Sequence, residues 1–174
     1  LPNLGDYLNF LKARKIRTRL YTNAVIFSEV IERALTEGTI SWLIISVDAG
    51  TQDTFNRTKR RDHYDTVVEN LKRYAAACNL PISGQVASKY IFTQSNHSDA
   101  DIEGFVASMV YAKPQHVWLL YDFHDFDKFH NVLYESVIKA YARMFVAFQK
   151  KGIIPSHFYE SFLDPVVEES RELI

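Results

Sequence analysis

Residues 42–50 read Trp-Leu-Ile-Ile-Ser-Val-Asp-Ala-Gly, an apolar run that breaks into Ser46, Asp48 and Gly50. Apolar side chains at successive positions over a strand's length leave no wet face, so the run belongs to a strand buried on both sides, as in parallel sheets. Ser46 and Asp48 stand two residues apart at its carboxyl end, and alternation predicts that they share a face. In open parallel sheets and in βα barrels alike, that end of the strand is where ligands bind. A hydroxyl and a carboxylate there suit a polar small molecule with a ribose or an amino acid part.

The remaining chain alternates helical and strand-like stretches. Leu4, Tyr7, Leu8 and Leu11 predict a helix over 4–14, and the alternation from Ile16 to Thr22 predicts a strand. Ile26, Phe27, Val30, Ile31, Ala34 and Leu35 make an amphipathic helix, with Gly38 placed for a left-handed cap. The buried strand over 41–47 follows. A short helix near 51–58 comes next, then a strong one over 62–78 that Asn79-Leu-Pro81 ends. Strand-like sequence runs over 82–93. Ser98 with Asp101 forms a capping-box-like start to a helix carrying Ile102, Phe105, Val106 and Met109. A second buried strand covers 116–121, a long helix 132–150 ends at Gly152, and 153–162 supplies a last strand.

No two strands are joined by a tight hairpin, so the connections are βα crossovers of right-handed sense and the sheet is parallel. The fold class is therefore α/β, with about five βα units. That is too few for an eight-stranded barrel, which leaves an open sheet or part of a barrel. The 174 residues suit one domain over 1–174, large enough to bury roughly 70% of its unfolded surface.

A formal charge of −1 gives no general pull toward nucleic acid or an anionic membrane, and neither is expected as a partner. No apolar run approaches the ~20 residues of a membrane helix, and no signal-peptide pattern opens the chain, so a cytoplasmic location is expected. The single cysteine, Cys78, excludes an internal disulfide and any multi-cysteine metal site built by these residues alone. The chain opens on Leu1-Pro-Asn-Leu4 without a methionine, which raises the expectation of a piece of a longer protein.

Thr22 and Asn23 follow the first strand as Ser46 and Asp48 follow the second, so parallel strands would bring both pairs to one sheet edge. Either pair alone reads as turn and cap chemistry; two pairs on successive strands favour a shared ligand site. Arg57-Thr-Lys-Arg-Arg61 is a basic cluster that also suits a solvated helix end, with Lys59 kept as the one candidate for an anionic ligand. Asp122, His124, Asp125, Asp127 and His130 crowd the stretch after the strand at 116–121, but their spacing matches no helix-borne zinc pattern. Cys78 falls on the apolar face of its helix and reads as packing.

The order of these motifs resembles the radical S-adenosylmethionine (SAM) superfamily, in the branch of the SPASM-type peptide-modifying enzymes and the molybdenum-cofactor cyclase. Thr22-Asn23-Ala24 matches that family's strand ending in Thr-Asn-Gly, and Ser46-Val-Asp48-Ala49 its Ser-x-Asp-x strand end. The stretch from Thr51 to Lys59, then Val68-Glu-Asn-Leu-Lys72, and Lys89-Tyr-Ile91 followed by Asn96, continue the match over roughly residues 1–120.

The resemblance implies part of a (βα)6-type partial TIM barrel with SAM across the carboxyl ends of its strands. Ser46 would contact the methionyl or ribose part, Thr22 and Asn23 would line the pocket, and Asp48 would support the turn or touch the ligand. Lys59 would stand near the SAM carboxylate, where the family often has arginine, without arginine's planar fork. Ser88 or Lys89 would complete the pocket, and Ser88 is taken here.

The family's three-cysteine motif, which holds a [4Fe–4S] cluster, has no counterpart in this sequence. The resemblance therefore implies an enzyme fragment, inert alone, of a parent that makes a 5′-deoxyadenosyl radical to modify a peptide or small molecule. The parent would use a reductant such as flavodoxin or ferredoxin. Two other readings stand beside it: a cluster-free α/β binding module without catalysis, and a metal-dependent hydrolase using the loop from Asp122 to His130.

Overall fold

Five strands line up in the order in which the chain makes them. In the computed structural model, which describes residues 3–78, 80–93, 95–121 and 133–157, β1 (Thr18–Thr22), β2 (Ile40–Ser46), β3 (Gln85–Phe92), β4 (His116–Tyr121) and the two-residue β5 (Ser156–His157) form one sheet. Every neighbouring pair is parallel. Between them run α1 (Leu4–Ala13), α2 (Glu29–Thr36), α3 (Gln52–Lys59), α4 (Tyr64–Ala76), α5 (Asp99–Ala112) and α6 (Leu133–Gln149).

Local chemistry sets most boundaries. α2 begins at Glu29 rather than at Ile26, because the Ser28 side chain accepts the Ile31 N–H and caps the helix there. Gly38, at φ 74°, takes the left-handed conformation that follows α2. Thr51 and Ser98 cap α3 and α5 in the same way as Ser28 caps α2, accepting from the N–H groups of Thr54 and Asp101. β3 begins three residues later than the pattern from Ile82 suggests, since the Ser83 N–H and hydroxyl both bond the Leu80 carbonyl and hold a turn.

The two faces of the sheet differ in kind. Leu43 and Ile45 of β2, Val86 and Tyr90 of β3, and Val117 and Leu119 of β4 join one apolar cluster with residues from every helix. Leu35, Leu71, Phe105 and Phe148 come from α2, α4, α5 and α6 and are fully buried in it. Each such side chain contributes about 1.5–3 kcal/mol. The opposite face holds a small separate cluster of Ile44, Ala87 and Trp118 with Trp42 and Leu120, to which no helix among the described residues contributes.

Among the described residues the helices lie on one face only, over strands in sequential order without a reversal, which is the arrangement of a βα barrel and not of a doubly wound sheet. The open-sheet alternative is thereby set aside, and the helix-free face is the barrel's inner face. Register fixes its membership: Arg19 lies across from Trp42, Tyr21 from Ile44, and Ser46 from Lys89. Lys89 lies across from Trp118 in turn, and Ile91 from Leu120.

Candidate functional site

The residues singled out at the strand ends gather at the carboxyl edge of β1, β2 and β3, but they do not all face one way. Ser46 is half-buried on the inner face, and its cross-strand neighbour Lys89 is half-buried beside it. Among the described residues neither the Ser46 hydroxyl nor the Lys89 ammonium has a hydrogen-bond or ion-pair partner. Both are therefore available to a ligand.

Thr22 is paired with Ile45, so it belongs to the helix-covered side, opposite Ser46. Its Oγ1 accepts the Ala24 N–H at 3.0 Å, and Asn23 Oδ1 accepts the Val25 N–H at 3.3 Å. These two side chains turn the chain out of β1, as the cap-and-turn reading holds. Asn23 is exposed and keeps its amide N–H groups. Ala24, buried at φ 52°, occupies a left-handed position where glycine would be unstrained, and Asn70 Nδ2 holds its carbonyl at 2.8 Å.

Asp48 departs from the simple alternation that would point it with Ser46. Its backbone is left-handed at φ 52°, which swings the carboxylate toward the end of β3. There Oδ1 accepts the Ile91 N–H at 2.8 Å, while Oδ2 pairs with Lys59 Nζ at 2.5 Å. Lys59 thus spends its charge on Asp48. The charge-bearing neighbour of Ser46 is Lys89.

Ser88 is corrected by register. It pairs with Ile45 and Val117, is fully buried on the helix-covered face, and its Oγ has no partner among the described residues. Of two adjacent polar residues in β3, only the one with Ser46's parity reaches the inner face, and that is Lys89. The acidic and histidine-rich stretch at 122–130 lies outside the described residues.

Two buried side chains that the sequence reading named but did not place at this edge hold it together. Asn96, fully buried, donates from Nδ2 to the carbonyls of Asp48 (2.9 Å) and Ile91 (2.8 Å) and accepts the Thr93 N–H at 2.7 Å. The Tyr90 hydroxyl donates to the Asn96 carbonyl, and burial pushes that phenol well above its ordinary pKa. Asp101, also buried, accepts from the Gly50 N–H, Thr51 Oγ1, Thr54 Oγ1 and Ser98 Oγ. It thereby fastens the loop after β2 to the start of α5. Its place in the cap of α5 is visible in sequence; its three partners some fifty residues upstream are not.

No protein-family model and no curated protein matches this sequence. Solved structures do resemble it. Streptococcus suis SuiB bound to S-adenosylmethionine superposes with a TM-score of 0.66 at 10% identity, over 95% of this chain and 36% of SuiB. SuiB bound to its precursor peptide SuiA gives 0.62 at 10% identity, over 95% and 37%. A radical SAM methyltransferase from Sphaerobacter thermophilus gives 0.53 at 19% identity, over 84% and 41%. The fold is shared with these structures, as part of a βα barrel. The chain spans little more than a third of SuiB's length.

The chain's one cysteine does not fit an iron–sulfur cluster. Cys78 lies past the end of α4, partly packed against the helix-side core, with its thiol donating to the Tyr74 carbonyl at 3.5 Å. Burial pushes the thiol up to about 11, whereas a metal-binding thiolate needs a lowered value. Any cluster ligands must come from outside these 174 residues. On the inner face His116 lies tilted at 45° against Trp42, with ring centroids 4.8 Å apart, and desolvation lowers its pKa.

Proposed function

We propose that this chain binds S-adenosylmethionine across the carboxyl edge of β1–β3. In this reading it forms part of a radical SAM enzyme that modifies a peptide or a small molecule. The observation that carries it is the adjacent pair Ser46 and Lys89: a hydroxyl and an ammonium, half-buried on the inner face and free of protein partners among the described residues. Ser46 would meet the ribose or methionyl part, Lys89 the carboxylate, and the exposed amide of Asn23 the rim. Thr22, Asp48 and Lys59 act by shaping the edge, and Ser88 is not in the set. The SAM held by SuiB and the precursor peptide SuiA on the same protein support SAM as ligand and a peptide as substrate.

When bound to a parent's [4Fe–4S] cluster, SAM would supply a 5′-deoxyadenosyl radical, with flavodoxin or ferredoxin as the source of the electron. This chain's own residues bind and orient SAM and line the inner wall. Ser46→Ala, measured by SAM binding in the parent protein, should weaken affinity roughly ten- to a hundredfold, the scale of one to three kcal/mol for a lost buried hydrogen bond. An unchanged affinity removes Ser46 from the site.

The half-buried, raised thiol of Cys78, the chain's one cysteine, favours one second reading, a cluster-free α/β binding module on the same fold. Iron and sulfide content of the reconstituted parent separates the two. A stoichiometric cluster supports the enzyme; its absence, with SAM binding retained, supports the module.

A further inference from the structure

The inner face of β1–β4 carries charge of one sign only. Reading alternate residues along the register from Arg19 through Trp42, Gln85 and His116 up to Ile91 and Leu120 meets two cations, Arg19 and Lys89, and no Asp or Glu. Arg19 is exposed and, among the described residues, has no carboxylate partner. It is flanked along β1 by Tyr21, which is 60% exposed on the same face, and lies across from Trp42. An arginine whose neighbours in the sheet are two aromatic residues, on a wall that offers it no anion, is placed to receive one from a ligand. Arginine's fork takes a carboxylate through two parallel hydrogen bonds.

We propose that the substrate taken up on this inner face is a carboxylate-bearing peptide segment and that Arg19 is the residue that selects it. The inference rests on the reading of this face as the substrate side of the proposed enzyme. Arg19 is level with Trp42, four residues below Ser46, which places it about 13 Å down the strands from the SAM end at ~3.3 Å per residue. Across the two intervening strand spacings, the Arg19 and Lys89 positions lie about 16 Å apart. That span leaves Lys89 to SAM and Arg19 to a separate anion, and it matches about five residues of extended peptide at ~3.3 Å each.

The test is fluorescence anisotropy at low ionic strength with this chain and a short labelled peptide of alternating Glu and Tyr, against the same peptide with Gln for Glu. The Glu peptide should bind about tenfold tighter, the scale of one charge-assisted pair. Arg19→Gln should abolish that preference and Arg19→Lys should keep part of it. Lys15→Gln, on the exposed turn after α1, should change nothing.

Equal binding of the two peptides, or no binding of either, overturns the inference. So does an equal loss in Lys15→Gln, which would mean bulk charge and not a site. Free glutarate binding as tightly as the peptide overturns the peptide part, and displacement by single-stranded RNA at lower concentration overturns the carboxylate part. SAM binding and its response to Ser46→Ala are read separately, so the two readings can fail independently.

Discussion

Replacing Asn96 by aspartate changes one NH2 to oxygen and should nevertheless undo the carboxyl edge of the sheet. Asn96 Nδ2 sits 2.9 Å from the Asp48 carbonyl and 2.8 Å from the Ile91 carbonyl, both acceptors, and the side chain is fully buried. An ionised aspartate would set a negative oxygen against two carbonyl oxygens with water excluded. Asn96→Ala loses three hydrogen bonds and leaves buried groups unpaired, which costs about 3 kcal/mol at roughly 1 kcal/mol each.

Asn96→Asp keeps the contact to the Thr93 N–H but adds repulsion, so at neutral pH it should cost about as much as alanine or more. For a chain of this size that is a fall in Tm of roughly 6–12 °C. A protonated carboxyl can donate to one of the two carbonyls, so the folded-state pKa of the new group is raised above its unfolded value of about 3.9. The sign follows from linkage: the variant is relatively most stable below that unfolded value and loses stability as pH rises through the folded one. Urea titrations of both variants and the parent sequence across acidic to neutral pH measure this. A wild-type Tm for Asn96→Asp at neutral pH, or a deficit that does not shrink on acidification relative to Asn96→Ala, refutes the reasoning.

Other substitutions probe neighbouring features. A Cβ on Gly50 would overlap the Asp101 carbonyl oxygen, and one on Gly104 the Gly50 carbonyl oxygen. Gly50→Ala should therefore cost at least ~2 kcal/mol by urea denaturation, and a near-neutral result would mean that the loop and α5 do not approach this closely. Ala24→Gly should stabilise by about 0.5–1 kcal/mol, because relief of a left-handed alanine outweighs the entropy of glycine; a destabilised variant would show otherwise. Cys78, with its thiol pushed up to about 11, should react with iodoacetamide at pH 8 far more slowly than a free thiol and accelerate only toward pH 11. Rapid labelling of the folded chain would contradict its burial.

The strand over 41–47, the cap at Ser98 and the left-handed Gly38 were legible because each is a local matter of alternation or of a side chain reaching its own backbone. The parallel sheet followed from the helices that separate the strands. The same local rules misplaced Asp48, since alternation holds only while the backbone stays extended and Asp48 is left-handed. They also left Ser88 and Lys89 undecided, because apolar residues stand at both parities, Val86 and Tyr90 on one and Ala87 and Ile91 on the other, and alternation then chooses neither.

By itself, then, the order of residues determined the elements, their parallel alternation and the sheet edge where polar side chains collect. Tertiary structure alone decided that Lys89 stands beside Ser46, that Lys59 is taken by Asp48, and that Asn96 and Asp101 clamp the loops there. The physical reason is range. Helix caps and strand patterns are settled within a few residues, whereas register and buried hydrogen bonds join groups as far as fifty residues apart and exist only once the sheet has closed around them.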